Sequence, residues 1–184
     1  LVRSRGLGDV YKRQPMSSAI HAERLARVRA ELAARGLDGF VVPISDEHMS
    51  EYVGDYAQRM AWLTGFGGSA GTAAGLPEKA AVFIDGRYTV RDQVDGSLFD
   101  YVGVPQSSVA EWLGTNVSAG RRIGFDPWLH GIDWARGLGN ALKAKGAMLV
   151  AVDANPLDGT GGGAHAEADL CAFKGWAGRT GGAV

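Results

Sequence analysis

From Ser17 to Val152 the chain switches repeatedly between helical and strand spacing of its apolar residues. That alternation limits the fold more than any other feature of the sequence. Ile20, Leu25, Val28 and Leu32 recur at helical intervals, with Ser17 and Ser18 as N-caps and Gly36 as the stop. Gly39-Phe-Val-Val-Pro43 is a short apolar run of strand length. The polar stretch from Ser45 to Tyr52 reads as a loop or short helix, and Met60-Ala-Trp-Leu-Thr64 as a strand or buried turn. Thr72 to Ala74 and Ala80 to Ile84 flank a turn at Pro77-Glu78-Lys79, which predicts a hairpin.

The alternation continues further along. Asp85-Gly-Arg-Tyr88 should turn the chain into a helix ending near Val94. Strand patterns follow at Phe99–Val104, Arg122–Phe125 and Ala147–Val152. Helical patterns lie between them, one capped by Ser107 or Ser108 and running through Leu113, the other from Ile132 to Lys145. Gly137 and Gly139 weaken the second helix. Strands alternating with helices, plus one hairpin, predict an α/β layer: a mixed sheet of about six strands flanked by helices.

With 184 residues the chain is about one domain with some surplus. The ends carry no such pattern. Residues 1–15 read as a non-native or disordered arm before Met16, and residues 159–184, rich in glycine, as a disordered or frame-shifted tail. The domain proper is expected at 16–158. A net charge of −1 gives no basic excess for nucleic acid. No apolar run approaches the length of a membrane span. The lone Cys171 leaves no disulfide framework within the chain and fits a reducing, cytoplasmic setting.

The loop from Gly65 to Gly71 holds four glycines and invites three readings. Gly65-x-Gly67-x-x-Ala70 fits a loose dinucleotide fingerprint, with Asp85 at the right distance. Gly67-x-Ser69-x-Gly71 fits a nucleophile elbow, with Asp126 and His130 following in Ser–Asp–His order. Both motifs need the loop to open a helix, whereas this one runs into Thr-Ala-Ala-Gly-Leu-Pro. Asp126 and His130 are also only four apart. The third reading is structural: glycines for positive φ, with Ser69 and Thr72 tying up the loop amides.

Histidines next to carboxylates raise the question of a metal. His48 lies near Asp46, Glu47 and Glu51, and His130 near Asp126 and Asp133. His21 reads as solvated, and His165 lies in the tail. No His-Glu-x-x-His pair is present, so neither cluster is assigned as a metal site. Arg59 and Arg87 each sit beside an apolar or glycine-rich segment. Either could hold a ligand carboxylate or act as a structural clamp. Trp62, Trp112, Trp128 and Trp134 read as packing residues.

Three stretches in order carry a resemblance: Trp62-Leu-Thr-Gly-Phe-Gly-Gly-Ser-Ala-Gly-Thr72, Phe83-Ile-Asp-Gly-Arg-Tyr88 and Arg122-Ile-Gly-Phe-Asp-Pro127. With the opening helix, Gly36-Leu-Asp-Gly-Phe-Val-Val-Pro43 and Asp46 to Tyr52, they resemble the N-terminal domain of aminopeptidase P. The resemblance covers about Ala22 to Asp158. It implies an α/β domain of the creatinase and prolidase type, without catalytic or metal residues of its own. In the full-length family that domain shapes the substrate entrance and makes subunit contacts. The family releases the N-terminal residue from peptides with proline second, using two divalent metals, usually manganese, in a following domain. The resemblance also implies a homodimer. For substrate, Arg59, Trp62 and Arg87 are the residues expected at the entrance. Two other readings stay open: a free-standing peptide- or protein-binding module of the same fold, and a serine hydrolase using Ser69.

Overall fold

The computed structural model describes residues 16–50, 52–85 and 94–162. Helix α1 spans Met16–Ala34, strand β1 Gly39–Pro43, helix α2 Arg59–Thr64 and strand β2 Thr72–Gly75. Strand β3 (Ala80–Asp85), strand β4 (Asp100–Val104), helix α3 (Val109–Asn116) and strand β5 (Arg122–Phe125) follow. Helix α4 (Ile132–Ala144) and strand β6 (Met148–Ala151) complete the layers. Single 3₁₀ turns occupy Asp55–Ala57, Pro127–Leu129 and Asp158–Thr160.

Among the described residues the strands form one six-stranded mixed sheet in the order β4-β3-β2-β1-β5-β6. The pairs β1/β5, β5/β6 and β3/β4 are parallel. The hairpin β2/β3 and the pair β1/β2 are antiparallel. The α/β architecture expected from the alternating spacings is the one observed.

Both faces of the sheet are covered, and the two-residue period of the strands sorts their side chains between two cores. Phe40, Val42, Val82 and Ile84 pack with Leu25, Val28, Leu32, Met60 and Leu63 of α1 and α2. Val41, Ala81, Phe83 and Ile123 pack on the other face with Leu113, Leu138 and Leu142 of α3 and α4. This is why β1 reads as a continuous apolar run rather than an alternating one. Gly124 of β5 has a packing reason: a Cβ there would come 2.8 Å from the Phe40 ring and 2.9 Å from Leu37.

Several local expectations need correction. Met60–Thr64 is neither strand nor turn but part of α2. Its six residues are buried on most sides, so the run shows no helical period. Helix α1 begins at Met16, so Ser17 and Ser18 lie within its first turn rather than at its cap; the Ser18 hydroxyl donates to the Asp95 carboxylate. The buried stripe of α1 includes His21 with Leu25, Val28 and Leu32, whereas Ile20 is exposed. His21, expected in solvent, is therefore a core residue. The helix expected from Asp85 to Val94 falls largely on residues 86–93, outside the described residues.

Beyond β6 the chain crosses back over the α1/α2 face as a strap. Arg35 Nη1 donates to the Ala154 carbonyl at 2.6 Å, and Leu157 is fully buried in the first core. No helix among the described residues is long and apolar enough to cross a membrane.

Candidate functional site

Because β1, β5 and β6 are parallel, their C-terminal ends share one edge of the sheet, and the segments that follow them meet there. Most of the polar side chains singled out from the sequence lie on these segments.

After β1, Asp46 is buried and its Oδ1 accepts the backbone N–H groups of His48 at 3.0 Å and Ser50 at 2.9 Å. The Ser50 N–H is the chief reason its pKa falls below the ordinary carboxylate value. The charge of Asp46 is thus spent on closing a turn, and in that turn Met49 adopts a positive φ of 57°. Glu47 accepts from the Tyr56 hydroxyl at 3.1 Å, and its carboxylate lies 3.7 Å from His48. Burial, then the Glu47 charge, pushes the Tyr56 pKa up to about 12, so Tyr56 serves as a donor and not as a base.

After β5, Asp126 caps the 3₁₀ turn by accepting from Trp128 N at 3.0 Å, and its other oxygen accepts from Asn155 Nδ2 at 3.0 Å. His130 stacks on Trp134 with ring centroids 3.9 Å apart. Its Nδ1 lies 2.9 Å from the Asp126 carbonyl, which can only accept, so Nδ1 carries the proton. Its Nε2 is buried without a partner, and burial lowers its pKa. The imidazole is therefore held neutral and meets no hydroxyl.

Arg59 lies at the start of α2 with its side chain 7% exposed. Nε and Nη2 donate to the two oxygens of Asp158 at 2.7 and 3.1 Å, while Nη1 has no partner. One turn on, the Trp62 ring has the Arg24 guanidinium over it at 4.8 Å and lies against Gly161 and Gly162. The Trp62 carbonyl accepts from Arg24 Nη1 at 2.7 Å. Of the three residues expected at a substrate entrance, Arg59 and Trp62 are thus brought together on α2, where both grip the strap. Arg87 lies outside the described residues.

The glycine loop follows a helix and leads into strand β2, the reverse of what a dinucleotide fingerprint or a nucleophile elbow requires. Gly65 is the left-handed C-cap of α2, with φ 82° and its N–H on the Ala61 carbonyl. Thr64, which sequence reading passed over, organises the loop: its buried hydroxyl donates to the Met60 carbonyl and accepts from Phe66 N. On the other side of β2 and β3 a hollow of about 610 Å³ is lined mainly by apolar groups, among them Phe83, Val104, Val109, Trp134 and Leu138. The Ser108 hydroxyl at its rim is engaged in the capping box with Glu111.

No group of three or more His, Cys, Asp or Glu among the described residues is placed to hold a metal ion. A dinuclear centre does not fit the side chains of the described residues. Asp158 and Asn155 complete these contacts. Both sit in Asn155-Pro-Leu-Asp158, but nothing in the sequence links them to Asp126 or Arg59, 29 and 99 positions away.

Comparison with known proteins fits this arrangement. The Creatinase/Prolidase N-terminal domain family matches residues 24–157. Human Xaa-Pro aminopeptidase 2 is 38% identical over 136 residues, covering 73% of this chain and 20% of the human protein. The chain thus spans about a fifth of the length of such curated relatives. An X-prolyl aminopeptidase structure from Caenorhabditis elegans, described as a cytosolic enzyme with a di-nuclear active site, superposes with TM-score 0.68 and 32% identity. It covers 75% of this chain and 25% of that one. The N-terminal domain of the cytoplasmic peptidase PepQ from Mycobacterium tuberculosis superposes with TM-score 0.56 and 25% identity, covering 75% and 98%. The chain belongs to the Creatinase/Prolidase N-terminal domain family and resembles the N-terminal portion of Xaa-Pro aminopeptidases.

Proposed function

We propose that this chain is the non-catalytic N-terminal domain of an Xaa-Pro aminopeptidase, an enzyme that hydrolyses the N-terminal residue from peptides with proline second. The observation that carries the reading is the family match over residues 24–157 together with relatives in which the matched portion is only a fifth to a quarter of the polypeptide. In the whole enzyme the hydrolysis belongs to a following portion holding two divalent metals, of which manganese is the expected identity. The domain's part is to shape the substrate entrance and to make contacts in a homodimer, in the cytoplasm.

Arg59, Trp62 and Arg87 serve the entrance in this reading. For Arg59 the geometry favours an indirect part. Its guanidinium is buried and committed to Asp158, so it would position the strap rather than touch peptide. In the intact enzyme Arg59→Ala should then raise KM for longer peptides with a smaller effect on kcat; unchanged kinetics would remove Arg59 from the entrance.

The test of the function uses the purified chain with manganese and an Xaa-Pro peptide, beside a hybrid. In the hybrid, residues 16–162 replace the matching stretch of human Xaa-Pro aminopeptidase 2. The chain alone should release no N-terminal residue, and the hybrid should release it. Metal-dependent release by the chain alone, or an inactive hybrid, would overturn the proposal.

A further inference from the structure

Three large apolar side chains stand in solvent at the edge of the sheet where β1, β5 and β6 end. Met49 is 53% exposed, Trp128 71% and Ile132 65%. They come from different segments and converge: the Met49 methyl lies 3.9 Å from where a Cβ on Gly131 would stand, between Trp128 and Ile132 in sequence. Two of them are held by polar groups beneath them. The Asp46 turn fixes Met49 at its positive φ, and Ser45 Oγ approaches Met49 Sδ at 3.3 Å. Asp126 caps the turn that carries Trp128.

A bulky residue in the left-handed region is a conformational outlier that its surroundings must enforce. Here the enforced conformation leaves about half of a large apolar residue in water instead of burying it. Exposed apolar groups that converge in this way, with polar and charged side chains (Glu47, His48, Asp133) at their margins, are the anatomy of an interface.

The occupant follows from where the chain runs. The strap leaves β6 at this same edge and passes Asp126 through Asn155. It is pinned by Arg59 at Asp158 and reaches Gly162 against Trp62. In the relatives this portion is only a fifth to a quarter of the polypeptide. We infer that the Met49–Trp128–Ile132 surface is where this domain docks on the following portion of an aminopeptidase chain, which the strap that starts at this edge tethers at high effective concentration. The inference rests on the proposed function for the identity of that portion.

Met148 supplies an internal control. It is 52% exposed and begins β6, at the opposite edge of the sheet. Peroxide oxidation followed by mass spectrometry gives the ratio of Met49 to Met148 oxidation rates in the isolated chain and in the hybrid. Oxidation of methionine follows exposure, so the ratio should be near one in the isolated chain and about tenfold lower in the hybrid. Trp128→Ser with Ile132→Ser in the hybrid should restore it. An equal ratio in chain and hybrid would overturn the inference. So would a ratio in the isolated chain that falls as its concentration rises, which would make a second copy the occupant. A ratio already low in the isolated chain at every concentration would show that the chain covers the surface itself, and would overturn it too. Peptide hydrolysis by the same hybrid reports separately. Protection of Met49 in an inactive hybrid keeps the docking surface and sinks the function, and activity without protection does the reverse.

Discussion

The two edges of the sheet are built differently. At the edge where β5 and β6 begin, polar groups satisfy one another in the open. Asp38 accepts from Arg121 Nη1 at 2.5 Å and from Arg122 N at 2.9 Å, and Lys79 donates to Asn116. At the edge where they end, polar groups are buried beneath the surface: Arg59 under a quarter-exposed Asp158, Asp126 with Asn155, and Asp46 within its turn. Above them Met49, Trp128 and Ile132 stand in water, with Glu47, His48 and Asp133 exposed around them. Exposed pairs gain little because water competes for both partners. Buried ones are costly to break because the partner left behind has no substitute. The first edge therefore finishes the domain, and the second is a stiff platform for the Met49 surface.

The largest break in that contrast should come from Asp158→Ala. It strands the Arg59 guanidinium in a buried site, and denaturant unfolding should show a loss of about 3–5 kcal/mol. A loss under about 1 kcal/mol would mean that the strap is dispensable. Leu157→Ala, at the fully buried centre of the same strap, should cost about 2–4 kcal/mol by the same measurement.

Acid should act on the second edge as well. Burial holds the His130 pKa below its ordinary value, and it does the same to His21 beneath Trp62 and Leu63, with the Arg24 charge adding to the effect. Well above about pH 6.5 both are neutral whether folded or not, and their share of the stability is intact. As pH falls below that, the unfolded chain takes protons that the folded chain resists. Stability should therefore decline until pH passes the lowered folded values. His130→Gln should flatten part of this decline in a series of melts between pH 7 and 5; an unchanged slope would show that His130 is not responsible.

Smaller effects are expected at the open edge and on the platform surface. Arg121→Ala should cost under about 1 kcal/mol and lose even that in high salt. Smallest of all, Met49→Gly in the isolated chain should leave stability within about 0.5 kcal/mol of the original. The relief of a positive φ is set against glycine's greater freedom when unfolded. A large loss there would mean that Met49 is a structural residue and not a displayed one.

Most of the sheet was legible because its signals are local. The apolar run at β1, the hairpin around Pro77-Glu78-Lys79 and the Ser108 cap with Glu111 three residues on can each be read within a few positions. Helix α2 was not, because six mostly buried residues display no period. His21 was misplaced for a related reason. An imidazole and an isoleucine on neighbouring positions of α1 do not announce which of them faces the sheet, and packing against the Trp62–Leu63 segment decided it.

The polar arrangement divides along the same line. Arg59 and Trp62 were noticed as residues, yet their partners were invisible, since Asp158 and Gly162 lie about a hundred positions away. By itself the sequence determined the alternation of helix and strand, the mixed sheet and the family, because propensity, period and motif act over short spans. Only the tertiary structure decided which charges are buried together, where the strap runs and which apolar side chains stay in water. Those outcomes depend on strand order, and strand order is fixed by burying both faces of the sheet at once, a condition no short stretch of sequence contains.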